Sequence, residues 1–450
     1  MSGDNVERAL GPAEALFWMG DRVTRYNVVA YAEVEGALGL DALATGMAAV
    51  QGRYPRLQTV IASLPDGTPG FRRAPTTLGV RVAQGDWQEQ VNRELELGFA
   101  EGDALARAVL VPLAPGGSGT PRSMVLLAFN HAVGDGLSAA YIVRDLLGVA
   151  QAAQGAQSAA SQALTLAPSR DFGPVEGLMP APTSALGVLW RVLKMTFRIV
   201  KKGLPHQIPK DARVPGRERR AHFASLRVDG ALATALVERA RREQTTVHAA
   251  LAAALSLAVA DELPRVAKVR IDCLSAVNVR KDLNAPVEDA MGMFAASVPV
   301  VFQVERADDL WATARRARAD LTAALARREH FALVPYLAWM QRQFARVARK
   351  RGVDKAATFL EGLGSPTFAL SNVGVLPLPT RYGALTLASL GFCAGAGFTN
   401  HFSCFVSTLG GVMSWSFVWM SPLISDERAR RLMDAARARL AAAAGATEAS

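Results

Sequence analysis

The sequence predicts a mixed α/β protein built as two lobes. Three observations lead there. At 450 residues, half of them hydrophobic, the chain is long for one core and can fill two. Apolar runs of strand length interleave with segments of helical periodicity. The composition also changes midway: Gln151 to Ala163 turns to Gln, Ala and Ser, and Pro168 to Pro182 is rich in turn formers. The lobe boundary therefore falls inside Gln151 to Arg220.

In the first lobe, Pro12 at a first helical position and Glu14 two residues later open a helix through Met19. Asn27 to Val34 reads as a strand, Leu40 to Arg53 as a helix, Leu57 to Ala62 as a strand and Trp87 to Gly98 as a helix. Ala106 to Pro112 and Met124 to Asn130 read as neighbouring strands joined by a Gly-rich loop over 114–119. The second strand runs into Asn130-His131-Ala132-Val133-Gly134-Asp135-Gly136, and Ser138 opens the helix that follows. In the second lobe, Thr246 to Asp261 has the pattern of a core helix. Strands follow at Val269 to Val277 and Ala296 to Val304, then long basic helices between Asp308 and Lys350. The final third carries strands at Thr367 to Asn372, Leu385 to Phe392, Cys404 to Thr408 and Val412 to Trp419, closed by a helix from Asp426 to Ala443. In the last strand Met413, Trp415, Phe417 and Trp419 share a face, as core packing or as the wall of a channel. No internal repeat is visible.

Composition narrows the function. Cys273, Cys393 and Cys404 are an odd number without metal-ligand spacing, which fits structural thiols in a reducing compartment rather than a disulfide framework. Met1 to Glu14 lacks the charged and apolar regions of a secretory leader, and no apolar run reaches membrane-spanning length. A cytoplasmic location is the expectation. No phosphate-binding Gly loop of the Walker or Rossmann kind appears. The net charge of +10 is concentrated: Thr183 to Arg220 holds ten Lys and Arg against Asp211 and Glu218. With the rest of the chain nearly balanced, nucleic acid is not an expected partner.

His131 sits where a strand ends and a turn begins, a position that holds a side chain rigidly yet lets it reach a substrate. Histidine is also the commonest general base near neutral pH. Taken alone, the same residues also describe a histidine closing a strand before an ordinary Asp-Gly turn.

The stretch resembles the His-His-x-x-x-Asp-Gly signature of the CoA-dependent acyltransferase superfamily, with Asn130 for the first histidine. That group includes chloramphenicol acetyltransferase, nonribosomal peptide condensation domains, wax ester synthases, alcohol acetyltransferases and phthiocerol-lipid acyltransferases. Further segments match in order. Leu10-Gly11-Pro12-Ala13-Glu14 resembles the opening helix motif, and Arg53-Tyr54-Pro55-Arg56-Leu57 the Arg-His-Pro-x-Leu motif. Thr246-Val247-His248-Ala249-Ala250-Leu251 resembles the start of the long second-lobe helix. Val277-Asn278-Val279-Arg280 resembles a Val-Asn-x-Arg strand end, and Met291-Gly292-Met293-Phe294 a Gly-Asn-Phe turn with Met293 for Asn. Leu370-Ser371-Asn372-Val373-Gly374 resembles the Ser-Asn-x-Gly motif of wax synthases and alcohol acetyltransferases.

The resemblance implies a two-lobed chloramphenicol acetyltransferase-like α/β fold with a substrate channel between the lobes. Residues 1–165 would form the N-terminal lobe, 166–220 a basic amphipathic linker or lid, and 221–450 the C-terminal lobe. It implies an O-acyltransferase that moves an acyl group from a thioester to the hydroxyl of a hydrophobic alcohol or natural-product acceptor, without a covalent acyl-enzyme. Acyl-CoA or an acyl carrier protein would be the co-substrate, with no resident cofactor or metal. The alternatives are a stand-alone condensation enzyme forming an amide and a silent scaffold that docks a carrier.

By the same resemblance the catalytic residues are His131, Asp135 and Gly136. His131 is the base, Asp135 pairs with Arg280 to hold the loop, and Gly136 accepts a backbone geometry other residues would resist. Ser371, Asn372 and His401 are candidate oxyanion or acceptor contacts. His248 reads as a first-turn helix residue, and His206, His222 and His330 as surface.

The basic segment has its own pattern. Leu186, Leu189, Trp190, Leu193, Phe197 and Val200 follow helical spacing, with Arg191, Lys194, Arg198 and Lys201 along another face. Residues 186–202 therefore suit peripheral contact with the inner membrane surface, a lid over a hydrophobic tunnel, a docking face for a carrier protein or CoA phosphates, or a helix packed on its own domain.

Overall fold

The computed structural model describes residues 6–445 except 66, 118, 156–164, 181–189, 191, 192, 195, 199, 202, 264, 265, 267, 396, 398 and 399; the side chains of 6, 7 and 332–335 are also outside the description. The expectations for 156–163, Leu186, Leu189 and Arg191 lie outside the described residues.

Two six-stranded sheets form the frame. The first has the order β12-β13-β2-β7-β6-β5. Its strands are β2 (Asn27–Glu35), β5 (Gly79–Val82), β6 (Ala106–Leu113), β7 (Arg122–Asn130), β12 (Arg381–Tyr382) and β13 (Leu385–Ala394). The second, β10-β9-β11-β14-β15-β8, comprises β8 (Arg220–Val228), β9 (Lys268–Asn278), β10 (Ala295–Glu305), β11 (Phe368–Val375), β14 (Phe402–Leu409) and β15 (Val412–Ser421). A small sheet of β1 (Val6–Ala9), β4 (Pro69–Arg73) and β3 (Thr59–Ser63) flanks the first lobe.

The first sheet is covered on one side by α2 (Leu40–Arg53) and α4 (Gly136–Gly155). On β2, Val28, Ala30, Ala32 and Val34 face those helices, while Val29 and Tyr31 face the second lobe through Phe223, Val418 and Met420. Burial on both faces explains why this strand reads as a continuous apolar run rather than an alternation. Tyr31 ties the two sheets together directly: its hydroxyl lies 2.7 Å from Ser225 Oγ on β8 and 2.6 Å from Ser416 Oγ on β15.

The second sheet packs on α7 (Val247–Asp261), α8 (Leu310–Ala326) and α11 (Asp426–Ala444). Ala-rich α7 is buried along nearly its whole length, as its composition indicates, with Thr246 accepting from Ala249 N at its start. Met413, Trp415, Phe417 and Trp419 belong to this core, so the alternating rings of β15 are packing and not a channel wall. Further helices among the described residues are α1 (Pro12–Gly20), α3 (Trp87–Glu96), α5 (Val175–Leu178), α6 (Gly230–Arg242), α9 (Glu329–Arg351) and α10 (Val353–Glu361).

The structure adds elements the sequence did not lead us to expect, among them β8 and α6, and departs from the expected ones in three further respects. The strand expected from Leu57 begins at Thr59, because Pro55 to Gln58 forms a tight helical turn first. α4 begins at Gly136, two residues before Ser138, because Asp135 and not Ser138 caps it. The third departure is topological. β12 and β13 lie within the expected C-terminal lobe but cross into the first sheet, where β13 pairs antiparallel with β2 from Thr386↔Glu35 to Ala394↔Val28.

Replacing Tyr31 with Phe removes the hydroxyl shared by Ser225 and Ser416 at a buried lobe contact. Urea denaturation should show a loss of about 1–3 kcal/mol.

Candidate active site

β2 and β7 pair as far as Asn27↔Asn130, and the backbone N–H of His131 then donates to the Tyr26 carbonyl at 3.0 Å. Asn130, fully buried, accepts from Ala132 N at 3.0 Å and bends the chain out of the sheet, so the residue in place of the resembled first histidine is a turn former. His131 Nδ1 lies 3.0 Å from the Gly134 carbonyl. With Nδ1–H donating there, Nε2 is the basic nitrogen, and it has no protein partner among the described residues. The ring stacks on Phe17 of α1 at 4.3 Å between centroids and 18° between planes. Burial pushes the imidazole below its usual value near 6.5, further than the Gly134 carbonyl and Asp135 raise it. The ring is therefore neutral at neutral pH.

Asp135 faces away from that ring. Its carboxylate accepts from Arg280 Nη1 at 2.8 Å and Nη2 at 3.0 Å, Ser138 N and Oγ at 2.9 Å each, and Phe294 N at 3.1 Å. The expected Asp135–Arg280 pair is thus present, bidentate and buried, joining the loop after β7 to the end of β9. Burial alone would raise the carboxyl, but Arg280 and Ser138 outweigh it and hold it below the usual range.

Gly136 is required for a different reason than expected. It is not among the residues with positive φ. A Cβ there would meet Phe392 Cε2 at 2.5 Å, so the constraint is the close approach of the crossover strand β13.

His131 faces a cavity of about 150 Å³ between the lobes, lined also by Phe17, Tyr26, Leu274, Met293, Ser371 and Phe392. Most of the wall is apolar; besides His131, Asp135 and Tyr26, its polar residues are Ser297, Ser371, Asn400 and Ser403. Met293, in the place where the resemblance expects asparagine, gives the wall a thioether instead. The volume is below the ~300–1,000 Å³ of pockets that enclose a whole drug-sized ligand.

The other expected site residues separate. Ser371 lines the cavity. Asn372 accepts from Gly374 N at 2.8 Å and shapes the irregularity in β11, outside the cavity lining. His401 is buried elsewhere, with Nε2 3.1 Å from Glu361 Oε1 and 3.4 Å from Arg219 Nη1. Its neighbour Asn400 reaches the cavity, and Asn400 Oδ1 is buried without a partner among the described residues. His330 is buried rather than at the surface. His248 sits in the first turn of α7, with Nε2 3.1 Å from Ser275 Oγ. The three cysteines are free and buried, and Cys404 touches the cavity.

Sequence reasoning missed Phe17, Ser138 and Asn400. Only Ser138 carried a usable signal, since Asp135-Gly136-Leu137-Ser138 has the spacing of a helix cap. Phe17 stacks through tertiary packing, and Asn400 is brought in by the start of β14.

Residues 217–394 match the family described as phthiocerol/phthiodiolone dimycocerosyl transferase C-terminus. The whole chain is similar in structure to a trichothecene 15-O-acetyltransferase from Fusarium sporotrichioides. The TM-score is 0.73 and the identity 11%, with 97% of this chain and 95% of that one covered. The fold is the two-lobed α/β architecture of chloramphenicol acetyltransferase-like and condensation folds. Polyketide synthase associated protein 5 from Mycobacterium tuberculosis is similar at TM-score 0.64 and 16% identity, covering 98% of this chain and 99% of that one. The first condensation domain of the calcium-dependent antibiotic synthetase, in complex with a substrate analogue, is similar at TM-score 0.69 and 16% identity, covering 97% and 96%. A search of curated proteins by sequence finds no match. This two-lobed fold places the His131 loop and the cavity at the junction of the two lobes.

Asp135→Ala strands the Arg280 guanidinium in that junction. Chemical denaturation should show a loss of about 3–5 kcal/mol, part of it recovered when Arg280→Leu is added.

Proposed function

We propose that this chain transfers an acyl group from a thioester to an alcohol, with His131 as general base. The observation that carries the reading is the unpartnered Nε2 of a neutral, rigidly held imidazole at a mostly apolar cavity between the lobes. Acyl transfer from a thioester needs a base for the attacking hydroxyl, a donor for the developing oxyanion, and exclusion of water. The site has a residue or surface for each.

In this reading the acceptor hydroxyl gives its proton to His131 Nε2 as its oxygen forms a bond to the thioester carbonyl. The tetrahedral oxyanion takes a hydrogen bond from Ser371 Oγ. When the C–S bond breaks, the proton on Nε2 passes to the leaving thiolate, so the histidine ends as it began. Phe17 and the Gly134 carbonyl keep the ring in one tautomer and orientation throughout. Asp135 does not touch the ring and acts by fixing the loop. Acyl-CoA or an acylated carrier protein is the donor, and a hydrophobic alcohol or natural-product hydroxyl is the acceptor. Three free, buried thiols suit a reducing, cytoplasmic setting.

The test is acceptor-dependent thiol release from a panel of acyl-CoAs and acylated carrier proteins, with product mass separating ester from amide. His131→Ala should lower the rate about 10²–10⁴-fold. A folded wild type that releases no thiol from any donor, with or without His131, is a scaffold and overturns the proposal.

The pH profile adds a separate expectation. His131 must be neutral to act, and its burial lowers its pKa. The rate should therefore hold below pH 6.5 and fall only as the pH drops through the depressed value. An acid-limb inflection above 6.5 contradicts this environment.

A further inference from the structure

The basic segment is not used by the chemistry above. Trp190, Leu193, Phe197 and Val200 lie in a helical stretch and are 60%, 51%, 68% and 58% exposed; Leu204, just beyond, is 76% exposed. At 100° per residue, the four helical ones fall within an arc of about 80°. The row points to solvent, so it does not pack on its own domain. None of its members lines the cavity, so it is not a cover over the reacting groups.

The charges beside the row complete the pattern. Lys194 and Lys201 lie along one margin of the arc, and neither has a carboxylate partner among the described residues. Lys194 Nζ stands 5.1 Å from the centroid of the Trp190 ring. Arg198, further round, pairs with Glu329 at the start of α9 and fastens the stretch to the body of the protein. A contiguous row of Trp, Leu, Phe and Val, edged by free lysines, needs a partner that is apolar within and negatively charged at its surface.

We infer that the exposed row from this segment docks the protein on the face of an anionic phospholipid bilayer, with Trp190, Leu193, Phe197 and Val200 entering the acyl boundary and Lys194 and Lys201 meeting lipid phosphates. This follows from paired chemistry: apolar burial supplies binding, and the lysines select for negative lipid. No described helix is long and apolar enough to cross a membrane, so the contact is peripheral. The inference does not depend on the acyl-transfer reading.

The experiment is co-sedimentation of the full chain with vesicles of 30% phosphatidylglycerol in phosphatidylcholine, and with phosphatidylcholine alone. Binding should be confined to the anionic vesicles and weaken with added salt. Phe197→Asp should reduce it about tenfold or more, and Lys194→Glu with Lys201→Glu by a similar factor. Circular dichroism and thiol release, read in parallel on the same variants, should be unchanged in solution. Absence of binding to anionic vesicles overturns the inference, as does binding that Phe197→Asp leaves intact. A wild-type dimer by light scattering that Phe197→Asp dissolves also overturns it, by assigning the row to a second copy of the chain.

Discussion

The Asp135 carboxylate is the point on which the site is assembled. Five donors converge on its two oxygens, from a guanidinium on the second lobe, a helix start on the first, and the turn at Phe294. Such a pair gains little net stability over apolar packing, because removing both charges from water is expensive. Its consequence is geometric. The loop after β7 has one position relative to β9, and His131 is four residues from the clamp. The histidine is placed by a charge that it never contacts.

The environment of His131 has a similar economy. Phe17 covers one face of the ring, and the Gly134 carbonyl takes the Nδ1 proton. The remaining nitrogen faces a largely apolar space that lowers its proton affinity in the resting state. Under the proposed acyl transfer, such a ring would be neutral before substrate arrives and would gain most from the negative charge that develops during the reaction. Asn400 Oδ1 lies buried at the same cavity without a partner among the described residues.

Much of this was legible in the chain. The two lobes, most helices and strands, the strand-to-turn position of His131 and the Asp135–Arg280 pair all follow from local patterns or from the resemblance. What was not legible depends on which segments meet in space. Gly136 looked like a residue of special backbone, yet its restriction is the Phe392 ring, 256 positions later in the chain. Asn372 shares a motif with Ser371 but points elsewhere, because neighbours on a strand face opposite sides, and His401, in the bend before β14, is held by Glu361 and Arg219 instead of the cavity. The edge strand β5 and the two-residue β12 were too short for periodicity to reveal.

The crossover of β13 carries a consequence for biogenesis. The first sheet places β2 between β7 and β13, and β13 ends at Ala394. During translation, the residues of β2 through β7 emerge early but lack their final neighbour until most of the chain has left the ribosome. Through that interval β2 is an open, apolar edge, able to pair with other nascent chains. The lobes are therefore not independent modules in time: the first waits for a strand encoded within the second, and the window before its arrival is when a chaperone has the most to protect.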